Sequence, residues 1–320
     1  MVSSAIVVVV IDTLRADHLG LYGHSRETSP HIDALGSNGV WFSRAYAHSG
    51  WTLPSFTSLF SGLLPHQHQV GRDRRNVHLF GRLSEEVDTL AELLGANGYR
   101  TGAVLNNTFL APEFGLNQGF DEYDWEGASN VQHRSAEETV SRGMAWLSAS
   151  ETPSFLVLHF MEPHANYAPR EAVRHRFAGV AGEEPPIPVP FTFEDGQAEE
   201  RLSPEQQDYL RRLYDEEIAD ADQGVGRLVE SLEAQGVFSD TVVIVTADHG
   251  EEFWEHNDFE HGHHLKSVLT QIPLIFWGEG ISVLLVDEIK STDSTRCELV
   301  RGAAHNACGS SQRRGLRARV

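Results

Sequence analysis

The chain is poor in lysine. Lys266 and Lys290 are its only two, so nearly all of its positive charge is arginine, which reads as a compositional bias with no function attached. Cysteine is equally scarce. Cys297 and Cys308 lie close together near the C-terminus and give weak support for a single structural disulfide. No window reaches the roughly 18 consecutive apolar residues of a membrane span, which argues against a membrane partner. Basic residues are outnumbered, 25 Lys+Arg against 46 Asp+Glu, for a net charge of −21. That balance argues against nucleic acid as a general partner. It leaves room for phosphate-bearing small molecules, because a bound metal reverses the local field. A signal peptide is also lacking. Met1-Val2-Ser3-Ser4 has no basic region and runs straight into the β-branched Ala5–Ile11, which reads as a buried strand. A cytoplasmic location is therefore expected.

What is present is an alternation of strands and helices. Apolar runs at 5–12, 40–42, 100–105, 154–160, 240–246 and 273–277 read as strands. Helices are expected from Ser29-Pro30 to Gly39, from about Pro54, over 84–95, over 135–148, and over 203–235, the last broken only by Gly224 and Gly226. Residues 13–22 read as loop or short helix, and 106–135 as loop. Residues 168–200, rich in Pro, Gly and Glu, form an exposed excursion that could cover a site. This order predicts an α/β protein, a three-layer α/β/α sandwich with a mostly parallel central sheet. One domain is expected over 1–290. The tail, 291–320, is rich in Ser, Arg, Gly and Ala and reads as disordered, truncated or frame-shifted.

In such sheets ligands bind at the carboxyl ends of the strands. Asp12, Asp248-His249 and the loop carrying His164 all fall there. Taken singly, each has an ordinary reading. Asp12 and Asp248 could be strand-end caps, and His164 a satisfied loop residue. Thr52 sits at or just before a helix N-terminus, as an N-cap or as a nucleophile facing the positive end of the helix dipole. His68 follows that helix and could reach back to its start. His256, His261, His263 and His264 cluster directly after Asp248-His249. Together these residues suggest metal-assisted displacement at a tetrahedral oxyanion ester. A divalent cation would be held by Asp12, Asp248 and His249 and would activate the Thr52 hydroxyl, and a histidine would protonate the leaving oxygen. Two carboxylates suit Ca²⁺ or Mg²⁺; the imidazole shifts the balance toward Mn²⁺ or Zn²⁺.

The ordered motifs resemble the sulfatase family of the alkaline phosphatase superfamily. Ile11-Asp12-Thr13-Leu14-Arg15-Ala16-Asp17-His18-Leu19-Gly20 is similar to the family's opening strand. Thr52-Leu53-Pro54-Ser55 with Ser61-Gly62 is similar to its nucleophile segment. Glu162-Pro163-His164 looks like its substrate loop, and Thr246-Ala247-Asp248-His249-Gly250-Glu251 like its second metal segment. The resemblance implies an alkaline-phosphatase/sulfatase-like fold and one divalent metal at Asp12, Asp248 and His249. It implies catalytic roles for Thr52, His164 and His263 and substrate-binding roles for His68 and His261, with His261 and His263 competing for one role. The implied partner is a small-molecule sulfate or phosphate ester.

The departures are specific. Formylglycine sulfatases carry Cys or Ser at the Thr52 position, followed by an Arg where Phe56 stands here. Threonine cannot become the aldehyde, so no formylglycine is expected. Thr13 replaces a frequent second Asp, and the tail lacks the family's C-terminal subdomain. The resemblance therefore implies a metal-dependent ester hydrolase. A phosphodiesterase or phosphoglycerol-transferase-like phosphotransferase is the alternative, and a non-catalytic or truncated copy a third reading.

Overall fold

The computed structural model describes residues 5–72, 79–127, 133–179, 185–187, 202–278, 281 and 284–286. Cys297, Cys308 and the tail lie outside the described residues. So does most of the excursion beyond 179.

Among the described residues the main sheet has eight strands. From edge to edge they are Leu284–Val286, Val40–Phe42, Leu274–Trp277, Thr241–Ala247, Ala5–Ile11, Ser154–Phe160, Arg100–Leu105 and Glu122–Trp125. Ala5–Ile11 lies in the interior with every residue buried, as an uninterrupted apolar run demands. Its neighbours are parallel and in step: Ile11 stands beside both Phe160 and Ala247. The three strands therefore end at one level, and the residues that follow them emerge side by side. Leu274–Trp277 is the antiparallel exception, paired against both Thr241–Ala247 and Val40–Phe42.

Period-2 alternation assigns the two faces of the sheet. Val7, Val9, Ile11, Leu156, Leu158 and Phe160 share one core with the helices Pro30–Ser37, Ala136–Leu147 and Pro204–Ala234. On the other face Phe155 stacks with Phe120, and His159 meets the edge of Phe56 from the helix Thr52–Ser61. Phe56 is fully buried, worth about 1.5–3 kcal/mol of apolar transfer. This burial locks the Thr52 helix against the strand that carries His159.

Glu122–Trp125, inside the stretch read as loop, is an edge strand paired in parallel with Arg100–Leu105. Three helices also differ from the sequence expectation, each for a local reason. The helix expected over 84–95 is Leu90–Ala96, because Thr89 makes a capping box with Glu92 and 84–87 forms a turn ahead of it. The long helix runs unbroken from Pro204 to Ala234. Its glycines serve close packing instead of a break: a Cβ on Gly224 would lie 2.6 Å from Ala136, and one on Gly226 2.9 Å from the His31 ring. The Thr52 helix begins at Thr52, with Pro54 inside its first turn. Residues 168–179 are turns anchored on the long helix, where Glu216 accepts from the Phe177 and Ala178 N–H groups and Glu217 from Ala168. No helix of the described residues is long and apolar enough to cross a membrane.

Candidate active site

Asp12 and Asp248 leave the ends of adjacent parallel strands, and both are buried. Each carboxylate commits one oxygen to the protein. Asp12 Oδ2 accepts from Asn107 Nδ2 at 2.8 Å and lies 3.3 Å from His159 Nε2. Asp248 Oδ1 accepts from the N–H groups of His249 at 2.8 Å and Thr13 at 3.2 Å. The other oxygens, Asp12 Oδ1 and Asp248 Oδ2, are buried with no hydrogen-bond partner. Leaving a buried carboxylate oxygen unpaired costs several kcal/mol, on the order of a full desolvation penalty, unless a cation fills the gap.

His249 supplies the third atom. Its Nδ1 faces the Gly250 carbonyl at 3.0 Å, which makes Nδ1–H the donor and leaves the Nε2 lone pair free. Nε2 lies 3.6 Å from Asp12 Oδ1, 3.3 Å from Asp248 Oδ2 and 3.3 Å from Thr52 Oγ1. The three donor atoms of Asp12, Asp248 and His249 fall within 4.8 Å of one another. This set fits a divalent cation with two oxygens and one imidazole nitrogen, and the Thr52 hydroxyl stands at the same point.

The protonation states agree with this fit. Burial and the neighbouring Asp12 push the Asp248 carboxyl well above its ordinary range. Burial opposes the Asp12 charge too, but His164, His159 and His249 outweigh it and hold Asp12 low. Two carboxylates this close cannot both ionise in a dry site without a counter-ion. Burial, with His261 nearby, lowers His249 to about 3, which keeps its ring neutral and able to ligate.

Backbone geometry serves the same point. Thr13 has φ 55, a left-handed conformation unusual for a β-branched residue. The turn aims its N–H at Asp248, and its carbonyl accepts from Tyr214 Oη at 2.7 Å. Thr52 is nearly fully buried as the first residue of its helix, after the extended Trp51. Ser55, one turn on, donates to the Asp248 carbonyl at 2.5 Å and ties the two segments together.

The remaining expected residues separate. His164 and His261 join the site. Their rings meet edge-on at 4.8 Å between centroids, and the His261 ring lies 4.6 Å from that of His249. Burial disfavours charge on both. For His261 the Glu251 carboxylate, 2.9 Å from Nδ1, wins and raises the ring to about 9; His164 stays below its ordinary value. His263 turns away from this group toward Glu252, 3.1 Å from its Nε2. His68 reaches back along the helix to the Pro54 backbone in its first turn. It braces the helix side, with Nε2 3.1 Å from Ser58 Oγ and Nδ1 accepting from the Val70 N–H, and burial lowers it to about 4.

Asn107, His159 and Glu251 are site residues that reading the sequence did not single out. Asn107 follows a strand end as Asp12 does, and His159 interrupts an apolar run. Those were the available signals. Beside Thr52, Trp51 meets Phe109 edge-on at 5.4 Å and lies 6.1 Å from Phe80, forming an aromatic wall.

A family model described as Sulfatase matches residues 4–297. Delta 4,5-hexuronate-2-O-sulfatase of Bacteroides thetaiotaomicron is 25% identical over 310 residues, covering 84% of this chain and 62% of the relative. The chain thus spans less than two thirds of that relative's length. Among solved structures, the phosphonate monoester hydrolase of Agrobacterium radiobacter shares the fold at TM-score 0.75 and 20% identity, over 94% of this chain and 74% of the other. The C-terminal periplasmic domain of EcEptC from Escherichia coli, solved in complex with Zn, shares it at TM-score 0.65 and 18% identity, over 88% and 74%. Matched over nearly its whole length by that family model, the chain belongs to the sulfatase family of the alkaline phosphatase superfamily.

Proposed function

We propose that this protein is a metal-dependent hydrolase of sulfate or related oxyanion esters, with Thr52 as its nucleophile. The observation that carries the reading is the convergence of Asp12 Oδ1, Asp248 Oδ2, His249 Nε2 and Thr52 Oγ1, with both carboxylate oxygens otherwise unpaired. A divalent cation held by Asp12, Asp248 and His249 would lower the pKa of the Thr52 hydroxyl and polarise a nonbridging ester oxygen. Asn107 and Thr13 hold the two carboxylates in orientation by occupying their other oxygens. The first turn of the Thr52 helix adds the positive end of its dipole to the developing negative charge.

His261, kept protonated by Glu251, donates to the leaving oxygen, and the neutral His164 contacts the ester. Two adjacent titratable groups driven apart in this way divide acid and non-acid roles. His261, and not His263, takes the role for which the two competed, because it is His261 that packs against His249. The relative named as a hexuronate sulfatase suggests a sulfated sugar as the ester, and the Zn complex of the EcEptC domain suggests Zn²⁺ as the first ion to test.

A second reading, phosphoester cleavage or transfer, is favoured by Thr52 itself. Its β-methyl rules out the aldehyde chemistry that a Cys or Ser would permit. The deciding experiment assays aryl sulfate, aryl phosphate monoester and bis-aryl phosphate diester in parallel with Ca²⁺, Mg²⁺, Mn²⁺ and Zn²⁺. Metal-dependent turnover of one of these, lost in Thr52→Ala, supports the proposal, and the preferred ester selects the reading. Failure of every substrate with every metal sinks it.

A further inference from the structure

A second acid–histidine cluster lies in the segment after Asp248-His249, built around Glu252. This carboxylate is fully buried, yet among the described residues neither lysine nor arginine pairs with it. Three histidines surround it instead. Oε2 lies 3.1 Å from His263 Nε2 and 2.5 Å from His264 Nε2; Oε1 accepts from the His256 N–H at 2.7 Å and lies 3.4 Å from His256 Nδ1. The Asp258 carboxylate stands 3.6 Å from His263 Nε2. The donor atoms of Glu252, His263 and His264 fall within 4.8 Å of one another.

Hydrogen bonding accounts for only part of this arrangement: His263 Nε2 bonds Glu252 Oε2 and the His256 N–H bonds Oε1, but His264 is left over. His264 Nε2 approaches Glu252 in a geometry that forms no bond and is left as a buried nitrogen without a partner. Two imidazole nitrogens and one carboxylate oxygen are a zinc donor set. Bonds of about 2.0–2.1 Å place tetrahedral ligand atoms about 3.3 Å apart, close to the Glu252–His263 spacing and under 1 Å wider than the Glu252–His264 spacing. Ligation through His264 Nε2 puts its proton on Nδ1. That forfeits only the long 3.3 Å contact from the Lys266 N–H. The backbone turns sharply around the cluster. Trp254, Asn257 and Glu260 all take left-handed φ values of 65–67°, unusual for a bulky residue such as Trp254. The resulting ribbon pairs Glu252–Phe253 with Phe259–Glu260. It sends Glu251 to His261 in the active site and Glu252 to His263 and His264.

We propose that Glu252, His263 and His264 bind a second divalent cation, with Zn²⁺ best matched to the donors and Asp258 or water completing the shell. The bound ion fixes the ribbon that positions Glu251 and His261. This site is independent of whether Thr52 acts as a nucleophile, because its test counts ions and does not measure turnover.

The full chain, freed of metal by chelation, is titrated with Zn²⁺ alone, and bound ions are counted by mass spectrometry. Wild type is expected to bind two equivalents, and Asp248→Asn and His264→Ala one each. With Co²⁺ as probe, the visible bands of a tetrahedral site persist in Asp248→Asn and vanish in His264→Ala. A His264→Ala protein that still binds two ions overturns the proposal, as does a wild type whose single equivalent is abolished by Asp248→Asn. A measurement on the unaltered chain guards against a variant that fails to fold. Diethylpyrocarbonate labelling of His263 and His264 should fall at least fivefold when Zn²⁺ is added, and unchanged labelling refutes the site.

Discussion

Besides the Glu252 cluster, two groups among the described residues offer three metal-type donors within 4.8 Å: Asp12, Asp248 and His249, all buried, in one, and His18, Asp215 and the half-buried His24 in the other. Their residue types are nearly the same, but their electrostatics are opposite. Asp215 is fully satisfied. Oδ1 faces His18 Nδ1 at 2.6 Å, and Oδ2 takes His24 at 3.2 Å and the Arg26 guanidinium at 2.5 Å. Burial opposes its charge, but His18 and His24 outweigh burial and hold its pKa well below the ordinary carboxylate range. Arginine is the fixed counter-charge there, so a cation would meet repulsion. In the other cluster each carboxylate keeps one bare oxygen and neither pairs with an arginine among the described residues. Donor spacing alone does not separate a metal centre from a salt-bridge network. The donor atom that the protein leaves unmet does: a carboxylate oxygen on Asp12 and Asp248, and the Nε2 nitrogen of His264 in the Glu252 cluster.

The largest effect expected is from Thr52→Ala. Removing the nucleophile should lower metal-dependent turnover by at least about 10³-fold while the metal stays bound, as judged by ion counting. Unchanged turnover would make Thr52 an ordinary helix-start residue. Next is Asp215→Asn, which should cost about 2–3 kcal/mol of stability by denaturant melting. That lies below the range for fully buried pairs because Arg26 is partly exposed. Metal content should not change. If instead an ion is lost, the contrast between the two clusters collapses.

Most of the fold was legible because three apolar runs each end in chemistry: Ile11 before Asp12, Phe160 before the His164 loop, Ala247 before Asp248. Continuous β-branched strands force a buried parallel sheet, and its carboxyl edge brings those ends together. The antiparallel Leu274–Trp277 was not legible, since a short apolar run carries no direction. The Thr52, Asp248 and His249 juxtaposition followed from motif order. Asn107 and Glu251 did not, because their partners are more than 90 residues away or depend on a ribbon set by left-handed residues. The choice between His261 and His263 turned on the same ribbon. Gly262 lies between them, and no periodicity reaches across its φ of 90.

Asn107→Ala sharpens the comparison from the other side. Its amide holds Asp12 Oδ2, so its loss frees the carboxylate to rotate away from the shared point. Metal affinity should weaken by about 10–100-fold, read by competition with a chromogenic chelator. An unchanged affinity would mean that His159 alone orients Asp12.

The smallest effect concerns pH and separates His261, packed against the first cluster, from His24 in the second. His261 is raised from 6.5 to about 9 by Glu251 against the opposing effect of burial. Its charge therefore adds stability that is complete below about pH 6.5 and is lost as pH rises through 9. As the proton donor to the leaving oxygen it gives the same limb in rate: kcat should be level below about pH 9 and fall about tenfold per unit above it. A cation at Asp12 and Asp248 repels the imidazolium, so in the metal-loaded protein 9 is the upper bound of that limb. Glu251→Gln removes the anion that holds the proton and should move the limb down in pH by one unit or more. His24→Ala alters a ring bonded to Asp215, away from the bare oxygens, and should leave the limb in place. A limb that ignores Glu251→Gln would remove His261 from the acid role and return that role to His164.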